Sequence, residues 1–210
     1  MAIITKKVET PITWEEISEA VKTGRAAEVL SVGDEISETL TTGEEVVFVV
    51  AGIDIYAEKQ VIFSLKDCLA EEYYMNKTWP NKGGWPTCGM RKYLNNDILK
   101  TLPENLRAVI IPRTLTTNDG EATDSLWLFS EYEIFGADWC DKDPGDRHIP
   151  YYENPGNRCK GLGKNGTAYA WWERSPNATS AATFCFVNSD GVAGYYNASS
   201  ARGVCFGFCI

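Results

Sequence analysis

Apolar positions change their spacing several times along this chain, and each change marks an element. Trp14, Ile17 and Val21 recur at helical intervals within "TWEEISEAVKTG". Thr13 stands three residues before Glu16, the spacing at which a hydroxyl and a carboxylate cap a first turn reciprocally. Gly24 supplies a stop, so a helix is expected there. "EEVVFVVAGIDIYA" and "KQVIFSLKD" are dense in Val, Ile and Phe, which suits strands, with Asp54 at a turn between them. Met90, Leu94 and Ile98 return to helical spacing in "GMRKYLNNDILKTLP", and Pro103 ends that run. "LRAVIIP" is a short apolar run, and "DSLWLFSEYEIFG" begins strand-like and turns helical near Ser130.

The second half is more broken. Residues 136 to 166 carry "DKDPGDRH", "NPGN" and "GLGKNG" and read as loop. "TAYAWWERSP" and "ATFCFVNSDG" then read as strands, with Asp190-Gly191 able to take the positive φ of a tight hairpin turn. "GVCFGFCI" reads as a terminal strand in which Gly203 and Gly207 permit close approach. No repeat and no linker interrupts the pattern. The expected architecture is a single α+β domain over residues 1–210. It has short strands, two main helices and extensive loops, and residues 1–29 form an N-terminal helical extension.

Composition narrows the function classes. At 44% hydrophobic and 12% aromatic residues the chain can bury a sizeable core. A net charge of −9 without a basic stripe argues against nucleic acid as a partner. No apolar run is long enough to span a bilayer, so no membrane insertion is expected. The start "MAIITKKVETPITWEE" has no apolar signal core, so the expectation is a cytoplasmic product, with a phage particle or cell surface also open. Cys68, Cys88, Cys140, Cys159, Cys185, Cys205 and Cys209 fit no zinc spacing. They are expected to be small buried thiols rather than a disulfide framework.

Candidate chemistry is sparse. His148 is the only histidine and has no second His with which to hold a metal. Asp141, Asp143 and Asp146 alternate as calcium ligands would, but the twelfth loop position is Tyr152 rather than a closing Glu. Ser175 lacks a nucleophile elbow, and "GLGKNG" lacks the ending of a phosphate-binding loop. Asn76, Asn165, Asn177 and Asn197 stand in glycosylation sequons, read as chance in an Asn-rich chain. The expectation is a non-enzymatic protein that needs no metal or organic cofactor.

One compositional feature stands out. From Asn177 to Ile210 there is no Lys, Glu, Gln, Met or Trp, although these types make up about one residue in five of the whole chain. "GVAGYYNASSAR" is instead rich in Tyr, Ser, Gly and Asn, the residues of adaptable recognition loops. The same residues also suit an ordinary polar hairpin with two half-buried tyrosines.

Three stretches together carry a family resemblance: "NKGGWPTCGMRKYLNNDILKTLPENLRAVIIP", "SLWLFSEYEIFG", and "YAWWERSPNATSAATFCFVNSDG" followed by "GVCFGFCI". Over residues 30 to 210 the chain resembles bacterial and phage domains of unknown function with a C-type lectin-like fold, related to the formylglycine-generating enzyme fold. It looks in particular like the variable proteins of diversity-generating retroelements. Its ending departs from the Arg-Pro ending of the broader family.

The resemblance implies an origin for the missing residue types. Such elements rewrite adenines through an error-prone RNA copy, turning AAC codons into NNC codons, which never encode Lys, Glu, Gln, Met or Trp. It implies a variable C-terminal region over 171–210. Within it, Trp171, Trp172, Arg174, Ser175, Pro176, Phe184, Val187, Gly191, Gly203, Val204 and Phe208 match fixed positions, and Arg174 would tie strand or loop carbonyls. The implied ligand-binding positions are Ser180, Ala182, Thr183, Phe186, Val192, Gly194, Tyr195, Tyr196, Ser199, Ser200 and Arg202. The implied function is binding of an unknown protein or surface ligand, with the oligomeric state open. The alternative is a non-diversified structural or enzymatic member of the same fold in a phage or bacterium. From residue type alone, Tyr195, Tyr196, Ser200 and Arg202 are expected on one exposed face with Ser180, Ala182 and Phe186.

Overall fold

A computed structural model describes residues 12–137 and 143–210. The main sheet has five strands in the order β1-β2-β3-β14-β7, and every pairing in it is antiparallel. These are β1 (Glu35–Thr39), β2 (Glu45–Ile53), β3 (Val61–Leu65), β7 (Trp127–Leu128) and β14 (Phe206–Cys209). The end of the chain is thus an inner strand. Its Gly207 lies against Phe129, whose ring a Cβ would meet at 2.5 Å, so close packing requires glycine there.

Helix α1 (Trp14–Lys22) has the reciprocal cap expected of it: Thr13 accepts from the Glu16 amide, and Glu16 accepts from the Thr13 amide. Its buried stripe lies on the sheet. The Trp14 ring meets Phe63, Phe208 and Phe48 edge-on at 5.3, 6.0 and 6.1 Å, and its Nε1 donates to Glu38 at 2.7 Å. Far from being an appendage, this helix covers the aromatic centre of the core. The second helical run is not uniform. It is α-helical over Gly89–Tyr93 and Leu99–Thr101 but π-helical over Leu94–Ile98. Asn95 sits in the widened turn and donates to the carbonyls of Arg91 and Leu126 at 3.0 and 2.9 Å.

The remaining strands form small antiparallel sheets. β5 (Arg113–Thr117) and β6 (Gly120–Asp124) make a hairpin, β4 (Tyr73–Tyr74) pairs with β13 (Ala201–Arg202), and β8 (Lys160–Gly161) pairs with β9 (Ala168–Tyr169). A three-stranded sheet runs β10-β11-β12, with β10 (Trp171–Pro176), β11 (Thr183–Val187) and β12 (Ala193–Asn197). The result is a mixed α+β fold of several small antiparallel sheets and few helices. No described helix is long and apolar enough to cross a membrane.

The cysteines depart in part from the expectation. Cys68, Cys88, Cys205 and Cys209 are buried free thiols, Cys159 is free but exposed, and Cys185 is disulfide-bonded. Cys140 and Asp141 lie outside the described residues.

Candidate functional site

The segment from Asn177 to Arg202 leaves the core at β10 and returns to it at β14. Both anchors are rigid. Trp171 and Trp172 are fully buried, and their indole nitrogens donate to the carbonyls of Arg158 and Tyr73, each at 2.9 Å. Arg174 is also buried, but it is not chiefly a tie to carbonyls. One bond reaches Leu128 O at 3.2 Å, while the guanidinium pairs with Glu133, with Asp143 at 3.3 Å and with Asp146 at 2.7 Å. Arg113 joins Glu133 from the other side at 3.0 Å, and Tyr56 donates to the same carboxylate at 2.6 Å.

This cluster sets two guanidiniums against three carboxylates. Burial pushes Glu133 up, but Arg174 and Arg113 outweigh it and hold the group down at about 2. Asp146 accepts two bonds from Arg174 yet shifts in the opposite direction. Burial pushes it up to about 7 against the pull of Arg174, with Glu133 and Asp143 adding to the rise. Of the alternating aspartates, Asp143 and Asp146 turn inward onto Arg174, and Asp141 lies outside the described residues. His148 is partly buried, and its ring nitrogen lies 3.2 Å from Ile134 O.

Next to the cluster lies Glu173. It is fully buried, and neither carboxylate oxygen has a hydrogen-bond partner. Burial and the neighbouring Glu131 push it well above the usual carboxylate range, against the pull of Arg174. Glu131, Glu173 and Cys185 bring their ligand atoms within 4.8 Å of one another, the one such group among the described residues. The sulfur of Cys185 is in a disulfide, which leaves two carboxyls and no thiolate for an ion.

The segment from Asn177 to Arg202 is a hairpin with pinned loops. The Asn188 amide donates to Val192 O at 2.7 Å across the turn, and Gly191 takes φ +82° there. Asn81 fixes the preceding loop: its side chain donates to Ser180 O and Thr183 O, both at 2.8 Å, and its amide to Ala181 O at 2.9 Å. The following turn is held where the Asn76 amide donates to Ala198 O at 2.9 Å.

All eleven candidate positions are exposed or partly exposed, whereas the interleaved fixed positions are buried, Pro176 excepted at half-buried. Phe184 and Phe186 pair with Tyr196 and Gly194, and Cys185 pairs with Tyr195. Side chains alternate along a strand, so Tyr196 shares a face with Phe186 and Gly194, while Tyr195 points to the opposite face with Thr183. The expected single face is therefore split. Arg202 lies over the Tyr196 ring at 4.1 Å and the Phe186 ring at 5.8 Å, and Phe186 meets Trp172 edge-on at 6.3 Å. Val192 stands at the hairpin tip. Ser199 and Ser200 lie in the turn before β13, and Ser180 and Ala182 lie in the loop that Asn81 holds.

Around Phe186, Tyr196 and Arg202 lies an open hollow of about 380 Å³, completed by Tyr169, Asn188 and Ser189. Tyr169 donates to Glu72. Tyr73 and Tyr74 of β4 stack at 4.3 Å, and Tyr73 stacks on Tyr93 at 3.7 Å. Sequence reasoning missed Asn81, Glu72, Tyr73, Tyr74 and Tyr169. All stand outside the compositionally marked segment, and only the long-range pairing of β4 with β13 brings the tyrosine pair to it. The hollow's polar atoms belong to amide, hydroxyl and guanidinium groups. They suit hydrogen bonding and ring stacking.

No curated protein and no solved structure matches the chain. A family described as a domain of unknown function, DUF6273, matches residues 59–210, which include the hollow, the hairpin and the buried Arg174 cluster. The chain belongs to that DUF6273 family.

Proposed function

We propose that this protein is a non-enzymatic ligand-binding protein. Residues 177 to 202 form its recognition surface and are diversified by a retroelement on a C-type lectin-like scaffold. One observation carries the reading. The segment that lacks Lys, Glu, Gln, Met and Trp is the one whose candidate positions are exposed or partly exposed, between residues that the core buries. An exposed Tyr, a half-exposed Phe and a stacked Arg are typical binding anchors, and losing such an anchor often costs about 2 kcal/mol or more in affinity. Arg202 on Tyr196 gives a guanidinium held by cation–π contact yet open on its outer face.

The ligand is an unidentified protein or surface molecule. The exposed Tyr, Ser and Asn favour protein recognition. The test is sequencing of the locus. A near-copy of the 3′ end with AAC codons at the eleven positions, beside a reverse transcriptase gene, is the expected finding. A locus with neither removes the diversified-receptor reading.

A further inference from the structure

The recognition surface ends in an unguarded strand edge. β12 is the outer strand of its sheet and pairs only with β11. The Asn188 amide bonds to Val192 O and the Ala198 amide to Ala182 O, which fixes the phase of the ladder. Hydrogen-bonded pairs alternate in an antiparallel ladder, so Gly194 and Tyr196 spend their backbone groups on Phe186 and Phe184. Ala193, Tyr195 and Asn197 then aim their amides away from the sheet. Among the described residues none donates a backbone bond to, or accepts one from, Ala193 or Tyr195 along this edge.

Exposed edges usually carry a charge, a proline or a bulge that blocks pairing. β1, an edge of the main sheet, has Glu35 and Glu38, and Glu35 pairs with Lys66 at 2.7 Å. β12 reads Ala-Gly-Tyr-Tyr-Asn, with no charge, no proline and no register shift against β11. Tyr195, Tyr196 and Val192 are among the most exposed large apolar residues, at 64, 45 and 59%.

Resting on the recognition reading above, we propose that β12 binds an extended segment of a partner protein by strand addition. The added strand would run along Ala193–Asn197, its backbone pairing with the outward amides and carbonyls of Ala193 and Tyr195 and its side chains alternating between the Tyr195 and Tyr196 faces; the Asn197 carbonyl already accepts from the Ser200 amide. The chain's net charge of −9 favours a segment flanked by Lys or Arg. The same charge opposes a second copy in this role, and an edge of five residues is short for the area a stable dimer buries. In this arrangement diversified side chains select the sequence, while the backbone row, which no substitution other than proline removes, supplies a constant part of the affinity.

The probe is a linear peptide selected from a random phage-displayed library against the purified full chain. It is then resynthesised with each amide N-methylated in turn. Strand addition predicts an alternating pattern: every second methylation weakens binding by about tenfold or more, and the intervening ones have little effect. Tyr195→Pro removes one outward amide without touching the ladder to β11, so it should keep the melting temperature and lose affinity to a similar degree. If Tyr195→Pro fails to fold, the methylation pattern alone decides. A bound peptide with no alternation, lost only on replacing Tyr196 or Arg202, overturns strand addition and leaves the recognition surface standing. Failure to select any linear peptide also overturns it, as does a wild-type dimer by sedimentation that Tyr195→Pro dissolves. The locus test of the recognition reading is independent of all these outcomes.

Discussion

Replacing Glu173 by Gln should change how stability depends on pH. In the folded protein Glu173 is fully buried, has no hydrogen-bond partner, and is pushed well above the usual carboxylate range by burial and by Glu131. In the unfolded chain the same group titrates near 4.3. Below that value both states hold the proton, and the group adds no pH dependence. Above it the unfolded chain releases a proton that the folded state retains, so stability falls by about 1.4 kcal/mol for each pH unit until the folded group ionises. For a chain of 210 residues each such pH unit corresponds to roughly 3–6 °C in melting temperature. Other groups also titrate in the native state. Asp146, raised to about 7, adds a loss of the same sign as pH rises, and Glu133, held at about 2, acts with the opposite sign at low pH. Both remain in Glu173→Gln, so the difference between the two melting curves isolates Glu173. The assay is thermal unfolding of wild type and variant across pH 5 to 8. The Gln amide will shift the absolute stability, and only the slope is diagnostic. Parallel curves would refute the assignment of a neutral buried carboxyl.

Trp172→Ala should cost about 3–5 kcal/mol, because it empties a fully buried site whose indole also caps Tyr73 O; a melt within a degree or two of wild type contradicts this. Arg174→Met should cost about 3–5 kcal/mol at neutral pH by leaving Glu133, Asp143 and Asp146 buried with one cation fewer, and acidification should recover part of the loss in chemical denaturation. Under native conditions iodoacetamide should label Cys159 and spare Cys68, Cys88, Cys205 and Cys209, since burial holds the thiols of Cys88 and Cys209 up at about 12. Cys185, buried and disulfide-bonded, should label only after both reduction and unfolding, and mass mapping of the alkylated peptides reads both results.

Elements whose signals are local were legible in the sequence. The capped helix at Thr13, the Val-rich β2 and β3, the helix opening at Ser130 and the turn at Asp190-Gly191 each rest on neighbours within a few residues. β1 was missed because "EISET" is a polar edge strand with one side in solvent and little apolar content. The hairpin of β5 and β6 was missed although Asp119-Gly120 marks its turn, because the Thr-rich flanks resemble loop. β12 was read as a recognition loop. Its composition is that of a loop, and its regular pairing depends on Phe184 and Phe186 across the turn. The partners of Arg174 come from residues 28 to 41 positions away, a separation at which no spacing rule operates.

The fold separates what holds the chain together from what meets a ligand, and it does so by topology. β14 sits between β3 and β7, so the chain must pass through the hairpin and turns of 177–202 before the main sheet can close. The entropy of that closure depends on the number of residues in the segment and hardly on their identity. Substitution at exposed positions therefore leaves the closure unchanged, and each exposed site shifts stability by only about ±0.5 kcal/mol. Insertion or deletion acts differently. A one-residue slip of β12 along β11 would carry Tyr195 to the face of Phe186 and Tyr196 away from it, and it would break the pin from Asn76. Length-preserving substitution at the exposed positions is therefore expected to disturb the fold less than insertion or deletion. Gly194 sets the one steric limit within the strand, since a Cβ there would meet the Phe186 ring at 2.9 Å. A side chain at 194 therefore needs the Phe186 ring to move or be replaced, which couples substitutions at 186 and 194 while the ladder beneath them stays in place.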